Sequence, residues 1–559
     1  MSIDRGGCRV VRGRDLATVL IGHCFASDDL VRARSGDLRA LMSLPGAYSA
    51  VVVRDRQVVL ASDASAQFPL YVSTSGDDVV FSSRAHAVAE QAGVRLDLAH
   101  LAAQIVCPLV PELLVSRTAF QGVQQLEPGA ALRWGAGGMS RTTATSLTAV
   151  ADTTLADCAE QLRECLRIAV SARTSIDSKM SSDFSGGLDS TSLAFLAALD
   201  NDKVPVVTYA QDGAPVDDDL RHAQLCGRLD PRLKPHVVMG EGEHLPYQSW
   251  SSSADLPHPS YLAMGPTRLR VAAAASLGAQ VHLVGEGGDL VLGAPLAYFV
   301  DLARRRDFVT LWQRCSAWGR LRQRSPLALF RKSVALATTS RRQGLTGFAR
   351  RLERAYPESF VPSWEEHNIA SWGAPLCDWL APKAREALAG QLIAAADDDD
   401  RMDACDRATL VQLDFAGATQ RAVRETGAER GVEVHAPFLD SEVVRVCLSL
   451  PAWLRCDPAS PKPLLRKALA GVVPQAVFSR RTKGDYTATS YQGLRRNLNA
   501  LRKTLDEPIS AEIGLIDPVR VRRALERAAR GLATAWAPLN QVLAVELWLR
   551  ELTRSDVDV

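Results

Sequence analysis

One short stretch constrains this chain more than any other: Ser185-Gly186-Gly187-Leu188-Asp189-Ser190. Its adjacent glycines let backbone amides approach an anion closely, because no Cβ stands in the way. The residues from Ser192 to Leu199 are mostly apolar and lack Gly and Pro, which predicts a helix beginning just after the loop. The N–H groups and dipole of that helix would face the loop. Serine hydroxyls and the Asp189 carboxylate, a group suited to Mg²⁺, complete a predicted phosphate site.

An ordinary structural turn is the alternative for a lone Ser-Gly-Gly sequence, and a second loop argues against it. The apolar run at 281–284 leads into a glycine-rich turn that ends in a carboxylate: Gly285-Glu286-Gly287-Gly288-Asp289. Another apolar run lies at 204–210, and helical or mixed segments separate the two. This alternation predicts a doubly wound parallel sheet that binds ligands at the C-terminal ends of its strands. The strand expected before the first loop is weak, because residues 179–184 are largely polar.

The first loop resembles the pyrophosphate loop of the ATP pyrophosphatases, which form adenylates and release pyrophosphate. The second loop resembles the second synthetase loop of the asparagine synthetase group, usually S-G-E-G-A-D-E. Val284 replaces the Ser here, and Leu290 replaces the final Glu. The resemblance implies that Asp289 is a metal ligand beside Asp189, with ATP and Mg²⁺ as cofactors. It also places Glu286 where relatives have a catalytic side chain.

Further matches to the group lie in the C-terminal part. GVEVHAPFLD (431–440) resembles its E-x-R-x-P-F-L-D segment, with His435 in place of Arg, and SPKPLLRKALAGVVPQAV (460–477) continues the match. RRTKGDY (480–486) corresponds to an R-x-K-x-G segment. The resemblance implies that the Lys483 ammonium contacts the α-phosphate, where a positioned cation stabilises developing charge. A plain surface lysine is the alternative.

The resemblance and the loops together give one set of expected site residues. The expected catalytic residues are Glu286 and Lys483. The residues expected to bind ATP and pyrophosphate are Ser185, Gly186, Gly187, Leu188, Asp189, Ser190, Gly285, Gly287 and Gly288. The acidic turn Asp217-Asp218-Asp219 lies where the group carries an acidic loop near the nucleotide, and a solvated turn is the alternative.

Residues 1–145 have a strand-and-turn texture. Their segments LPGAYSAVVVRD (44–55), ASDASAQFPLYV (61–72), FSSRAHAV (81–88) and LEPGAALRW (126–134) resemble the N-terminal glutaminase-type (Ntn-like) domain of class B asparagine synthetases. The resemblance implies an αββα sandwich. Residues 146–559 then form an adenylating domain, a parallel α/β sheet with a helical insert at about 300–400. The expected fold class is therefore α/β plus α+β.

The glutaminase residues of that family are missing. The family's nucleophile is a Cys exposed once Met1 is removed, but position 2 is Ser2 and the first cysteine is Cys8. The family's Asn-Gly pair, which holds glutamine, is also absent, because no Asn occurs before Asn201. We therefore predict an inactive glutaminase-type domain that makes no ammonia from glutamine.

Length and composition limit the remaining choices. A chain of 559 residues predicts two or three domains, and a net charge of +2 gives no reason to expect nucleic acid or a membrane as partner. No apolar run approaches the ~20 residues of a membrane span, and no secretory signal begins the chain. Eleven cysteines without a C-x-x-C pair predict reduced thiols and a cytoplasmic location.

The two loops predict that a carboxylate is activated as an acyl-adenylate, which an amine attacks to give an amide and AMP. Glu286 is the candidate base or orienting group; support of the metal ligands is the alternative. Without ammonia from glutamine, the amine belongs to the substrate and the product is a ring. Two relatives make such rings, the β-lactam synthetases and the lasso-peptide cyclases.

A basic insert favours a peptide substrate over a small amino acid, although a plain solvated helical face is the simplest interpretation of it, and nucleic acid or a partner protein are further alternatives. Residues 301–360 contain 14 Arg or Lys against 4 Asp or Glu, interleaved with Trp312, Trp318 and Phe330. We therefore predict a lasso-peptide cyclase (macrolactam synthetase) acting on a leader-free precursor peptide, with a leader peptidase and a leader-binding protein as candidate partners. The alternatives are a β-lactam synthetase-like or asparagine synthetase-like ligase on a small amino acid, a tRNA- or nucleotide-modifying adenylating enzyme, and a non-enzymatic scaffold.

Overall fold

A computed structural model gives the fold of the chain. It describes residues 7–76, 78–136, 138–174, 179–211, 218–248, 254–354, 356–357, 360, 362–369, 372–396, 402–480 and 487–554. The strands are β1 Cys8–Arg12, β2 Leu16–Cys24, β3 Gly46–Arg54, β4 Gln57–Ala61, β5 Tyr71–Ser75, β6 Asp78–Ser82, β7 Gln124–Gln125, β8 Ala130–Gly135, β9 Gly138–Thr143, β10 Met180–Asp183, β11 Val204–Gln211, β12 Leu233–Gly240, β13 Val281–Leu283 and β14 Glu433–His435.

Helices make up most of the remaining structure. Up to the second glycine loop they are α1 Asp28–Arg34, α2 Leu38–Met42, α3 Ala85–Ala92, α4 Leu98–Val106, α5 Pro111–Leu114, α6 Leu155–Thr174, α7 Leu188–Asp200, α8 Asp218–Gly227, α9 Gly265–Ser276 and α10 Gly288–Val291. The insert and the long helix after it contain α11 Tyr298–Arg304, α12 Phe308–Arg322, α13 Pro326–Thr338, α14 Arg341–Leu352, α15 Trp364–Asn368, α16 Pro382–Ala395 and α17 Ala404–Ala428. The C-terminal helices are α18 Ser441–Ser449, α19 Ala452–Arg455, α20 Pro463–Ala468, α21 Gln475–Phe478, α22 Thr487–Arg496, α23 Leu498–Thr504, α24 Ile509–Glu512, α25 Pro518–Ala529 and α26 Trp536–Arg554.

The N-terminal part contains two antiparallel sheets. The larger has the order β1-β2-β3-β4-β8-β9, and the smaller has the order β6-β5-β7. Their facing surfaces share one apolar core: Val19, Val51, Leu60, Leu70, Val72, Leu126 and Leu132. Helices α1 and α2 cover the outer face of the larger sheet, and α3 lies against β5 and β6. The described residues therefore form layers of helix, sheet, sheet and helix, while the glutaminase-type identity of this sandwich stays a prediction.

The second sheet system is the predicted parallel one. Its order is β12-β11-β10-β13-β14, and every pairing in it is parallel. Helix α7 packs on the sheet together with α6 and α18, and α9 packs on it together with α17. Helix α6 extends the predicted helix at 157–172 by about two residues at each end.

The polar strand that weakened the sequence prediction lies at the centre of this sheet. Ser181 and Asp183 on β10 are buried, yet each has a partner. The Ser181 hydroxyl lies 2.8 Å from His282 Nδ1, and Asp183 Oδ1 lies 3.0 Å from His282 Nε2. Arg270 of α9 forms an ion pair with Asp183 from the neighbouring helix. Since buried polar groups are tolerated when they are hydrogen-bonded, this strand needs no apolar run.

The two parts of the chain are joined along α17 and the loop after β4. Gly417 of α17 lies so close to this loop that an added Cβ would stand 2.0 Å from the Ser65 carbonyl oxygen. The Ser65 hydroxyl donates to the Leu439 carbonyl at 2.9 Å, and Ala64 N–H donates to the Ser441 hydroxyl at 3.3 Å. The insert forms helices as predicted, with its own apolar core around Tyr298, Leu311 and Leu329. Among the described residues, no helix combines the length and the apolar character that crossing a membrane requires.

Candidate active site

The two glycine loops meet because their strands are neighbours. β10 and β13 are hydrogen-bonded in parallel, with Ser182 opposite Leu283, so both strands end at the same edge of the sheet. Asp189 and Asp289, 100 residues apart in the chain, therefore follow adjacent strands. The carboxyl ends of parallel strands are the usual ligand site of such sheets. The structure thus brings the two predicted loops together.

The first loop turns into α7 as the sequence predicts. Gly186 has φ +68°, and a Cβ there would lie 2.5 Å from the Ala223 amide nitrogen, so a larger residue does not fit. Gly187 caps α7, and its N–H donates to Ser185 Oγ at 3.2 Å. The Ser185 and Ser190 hydroxyls lie 2.9 Å apart. The loop therefore gathers hydroxyls and amide donors at the start of a 13-residue helix, as a phosphate site needs.

The second loop packs directly on the first. A Cβ on Gly288 would lie 2.4 Å from Asp189 Cγ, and one on Gly285 would lie 2.8 Å from the Ser190 amide nitrogen. Both glycines are therefore required for the approach of the two loops. Asp289 begins α10 and stays 62% exposed, whereas the Asp189 side chain is 15% exposed.

Lys462 links the two loops electrostatically. Its ammonium forms an ion pair with Asp189 and lies 2.7 Å from Asp289 Oδ1. Burial lowers the pKa of Lys462, but the two carboxylates outweigh that effect, so its pKa stands above the ordinary value. The side chain is therefore a fixed cation between the two predicted metal ligands. Lys462 is the residue before α20 and has φ +52°. Pro463 begins the helix.

Sequence reasoning missed Lys462 and singled out Lys483. Lys483 lies outside the described residues, as does Asp217 of the acidic turn, so their roles stay predictions. A signal for Lys462 was present in the segment SPKPLLRK, which continued the match to the family. It was not distinguished there from the other basic residues, because only the fold shows which lysine reaches the loops.

Glu286 lies in the second loop and lines the cavity described below. Its pKa is raised above the ordinary range, first by burial and then by the neighbouring Asp289 carboxylate. Arg270 opposes this rise. A carboxylate with a raised pKa is a better proton acceptor near neutral pH, so the environment suits the predicted base.

The acidic turn is connected to the first loop by an arginine. Asp218 and Asp219 begin α8, and both pair with the buried Arg480 guanidinium, the contact to Asp218 being 3.3 Å. Arg480 also donates to the Ser185 carbonyl at 3.4 Å. Of the two interpretations of the turn, a solvated surface does not describe Asp219, which is buried.

The loops open into a cavity of about 1090 Å³, which we name the loop cavity because both glycine loops, Glu286 and Lys462 line it. An apolar wall faces them, formed by Phe184, Val207, Met264, Val411 and Phe415. Ligand pockets usually measure roughly 300–1,000 Å³, so this cavity lies at the upper end of that range. None of the described residues of the insert lines it.

The residues present fit ATP and its metal. Hydroxyl donors of the first loop suit phosphate oxygens, and the carboxylates of Asp189 and Asp289 are the oxygen ligands that Mg²⁺ prefers. Lys462 pairs with both carboxylates in this structure, so with Mg²⁺ bound its ammonium would pair with phosphate oxygens in their place. Another group of metal-ligating residues, His23, Glu433 and His435, lies where the two parts of the chain meet. Arg173 and Arg424 act on the His435 imidazole, whose pKa is far below ordinary through burial and these cations. Two guanidinium groups disfavour a metal cation at that position.

Comparison with known proteins gives one family match and several distant relatives. Residues 161–550 match the family model described as asparagine synthase. Curated proteins named putative asparagine synthetase [glutamine-hydrolyzing], from Mycobacterium bovis and Mycobacterium tuberculosis, are each 25% identical over 454 residues. The match covers 77% of this chain and 64% of each relative, so the chain spans less than two thirds of their length.

Solved structures give weaker matches. One is titled as an allosteric regulatory enzyme of purine biosynthesis, at 11% identity, covering 41% of this chain and 62% of that one. Another is a glutamine phosphoribosylpyrophosphate amidotransferase from B. subtilis, at 14% identity, covering 52% of this chain and 64% of that one. Both have a TM-score of 0.17, which is too low to indicate a shared fold.

Proposed function

The chain belongs to the asparagine synthase family, and from this premise we propose that it is an ATP-dependent, amide-bond-forming ligase. The observation that carries the proposal is the Lys462 ammonium held between Asp189 and Asp289, where two adjacent parallel strands end. A non-enzymatic scaffold would have no need for a buried cation and two converging carboxylates beside a phosphate-type loop.

The finer proposal concerns the substrate. We propose that the enzyme closes a macrolactam ring in a leader-free peptide, joining its N-terminal amine to an Asp or Glu side chain, as lasso-peptide cyclases do. The volume of the loop cavity, about 1090 Å³, is at the upper limit of small-ligand pockets, so it leaves room beside ATP for the reacting end of a peptide. The missing glutaminase residues in the sequence support an amine that comes from the substrate itself.

The proposed reaction has two steps, adenylation of the peptide carboxylate and attack by the N-terminal amine. A carboxylate oxygen of the peptide attacks the α-phosphorus of ATP, and the bond from that phosphorus to the bridging oxygen breaks to release pyrophosphate. The N-terminal amine then attacks the acyl carbon, the bond to AMP breaks, and an amide forms. The amine loses one proton in this step, and we assign Glu286 as the group that accepts it, because its raised pKa suits a proton acceptor.

The chain's own residues have distinct tasks in these steps. The Ser185 and Ser190 hydroxyls orient the pyrophosphate, and the Lys462 cation stabilises charge that builds on phosphate oxygens. Asp189 and Asp289 would hold the Mg²⁺ that arrives with ATP, which supplies neutralising charge to the pyrophosphate.

Substrate-dependent release of pyrophosphate tests this function. Purified protein with ATP and Mg²⁺ is offered, in separate reactions, a candidate leader-free peptide chosen from short reading frames beside its gene, single amino acids, and tRNA. The proposal expects release with the peptide, and Asp189→Ala abolishes it. Release with an amino acid alone would favour a β-lactam-type or asparagine-type ligase. Release only with tRNA would favour a nucleic-acid-modifying enzyme, and no release with any substrate would leave the scaffold.

A further inference from the structure

A second cavity of about 950 Å³ lies beneath the N-terminal sheets, and we name it the N-terminal cavity. One wall is apolar and comes from the inner face of the larger sheet and the loop after β4: Val19, Ile21, Val51, Phe68 and Leu70. The other side comes from α17, which contributes Asp414, Arg421 and Arg424. The volume is at the upper end of what a drug-sized ligand fills, which is enough for several residues of an extended chain.

This cavity continues into the loop cavity. Pro108, Val411 and Phe415 line both spaces. Phe415 is 51% exposed, although Leu413 and Ala416 beside it on α17 are buried. An exposed phenylalanine between two interior cavities keeps apolar surface in water, and contact with an apolar group of a ligand would remove that surface. The feature indicates a ligand that passes from one cavity into the other.

The charged groups that α17 contributes to the N-terminal cavity are already held by the protein. Glu425 accepts from the Tyr261 hydroxyl at 2.8 Å, and Asp414 accepts from the Gln125 amide. Arg421 donates to the Ala66 carbonyl, and Arg424 donates to the Gln67 carbonyl at 3.3 Å. Because these groups are engaged, the cavity favours a ligand without a concentrated charge. A peptide segment, with amide groups and mostly uncharged side chains, fits this mixed surface.

The described residues of this cavity also lack an activated nucleophile. Burial raises the pKa of the Cys8 thiol, which disfavours its nucleophilic thiolate form. The His100 imidazole is bound through Nδ1 to the Leu113 carbonyl at 3.1 Å and lies 3.1 Å from the Gln104 amide through Nε2. With the histidine engaged on both sides, the cavity is suited to binding and not to chemistry.

We propose that the N-terminal cavity binds the segment of the peptide substrate that follows the reacting carboxylate, with Phe415 contacting the peptide where it leaves the loop cavity. This inference rests on the proposed peptide substrate. The amine and the carboxylate must both reach the loop cavity, so the remaining segment needs another place. The N-terminal cavity is large enough for that segment and shares walls with the loop cavity.

The test measures peptide binding without ATP, so that it does not depend on turnover. Two fluorescent peptides are used: the candidate leader-free peptide, and a truncated form that ends at the acceptor carboxylate. Phe415→Ala should weaken binding of the long peptide roughly tenfold and weaken binding of the truncated peptide clearly less, because the truncated peptide contacts Phe415 only from the loop cavity. The matched control is Phe308→Ala, a helical phenylalanine in the insert that is 45% exposed and lines neither cavity.

A second pair of variants tests the same inference at a site away from α17, in case Phe415→Ala disturbs that helix. Val53, 38% exposed on β3, lines the N-terminal cavity, and Val53→Trp should reduce its volume and weaken the long peptide selectively. Val237→Trp is the control, at a β12 valine that is 44% exposed. Equal weakening of both peptides, no weakening of either, or failure of the wild type to bind the long peptide would overturn the inference. Pyrophosphate release is measured separately, so its absence would refute the proposed function while binding still decides the cavity.

Discussion

The loop cavity and the N-terminal cavity have similar volumes, about 1090 and 950 Å³, and share part of their walls, but their charged groups are arranged differently. In the loop cavity, groups from separate segments converge on one point, with Lys462 between Asp189 and Asp289. In the N-terminal cavity, the charged groups of α17 are bound to the protein around them, as Glu425 is to Tyr261. This difference is the basis of our proposal that chemistry takes place at the edge of the parallel sheet and binding at the face of the antiparallel one.

The largest effect is expected when Lys462, the cation that distinguishes the loop cavity, is removed. Lys462→Ala should lower kcat for peptide-dependent pyrophosphate release by about 10³-fold, because developing phosphate charge loses its fixed counter-charge. Lys467→Ala, at an exposed lysine on the same helix, should leave kcat within twofold, which is well below the size of such electrostatic effects. Rates are measured at saturating ATP and peptide. Equal rates for Lys462→Ala and the wild type would remove the distinction between the two cavities.

A second effect concerns the buried network below the loops. Asp183→Asn leaves Arg270 and His282 without their carboxylate and should reduce the free energy of unfolding by roughly 3–5 kcal/mol. Asp29→Asn removes a carboxylate that is 92% exposed and pairs with Arg32, and it should cost less than about 1 kcal/mol. Denaturant unfolding followed by circular dichroism measures both. Similar losses for the two variants would mean that the buried network does not support the site.

A smaller effect should appear in the pH dependence of the reaction. Glu286 must be ionised to accept a proton, and its raised pKa means that activity falls with decreasing pH at a higher pH than for an ordinary glutamate. Glu286→Gln should lower kcat about 10²-fold at pH 8 and lose this acidic limb. The exposed Glu429→Gln is the control. An unchanged acidic limb in Glu286→Gln would show that another group accepts the proton.

The last prediction concerns the N-terminal part alone, where we expect no glutaminase activity. The protein should form no glutamate from glutamine, because position 2 is Ser2 and the Cys8 thiol has a raised pKa. Glutamate is measured after incubation with and without ATP and peptide. Steady glutamate formation would contradict the absence of chemistry in this part of the chain.

The sequence was most informative where local pattern determines structure. The helix after the first loop and the glycine-rich second loop follow from residue types within a few positions, and both are present as α7 and the turn before α10. The parallel sheet follows from the alternation of apolar runs and helical segments, and the structure confirms it.

The features that could not be predicted from the sequence depend on contacts between residues that are far apart in the chain. The polar residues of strand β10 looked unfavourable in the sequence because their partners are distant. Arg270 and His282 lie 87 and 99 residues beyond Asp183 in the chain. Lys462 stood out from its basic neighbours only when the fold placed it against Asp189 and Asp289. The insert was expected to favour a peptide through its own surface, but its described residues line neither cavity, so the peptide proposal now depends on cavity volume.

The measurement that tests the central claim most directly is mass spectrometry of the peptide after reaction. Purified protein is incubated with ATP, Mg²⁺ and the candidate leader-free peptide, and AMP is quantified in the same samples. The account predicts a product lighter by one water, one AMP formed per product, and loss of both signals in Asp189→Ala. An unmodified peptide in reactions that consume ATP, or a lighter product formed equally by Asp189→Ala, would contradict it.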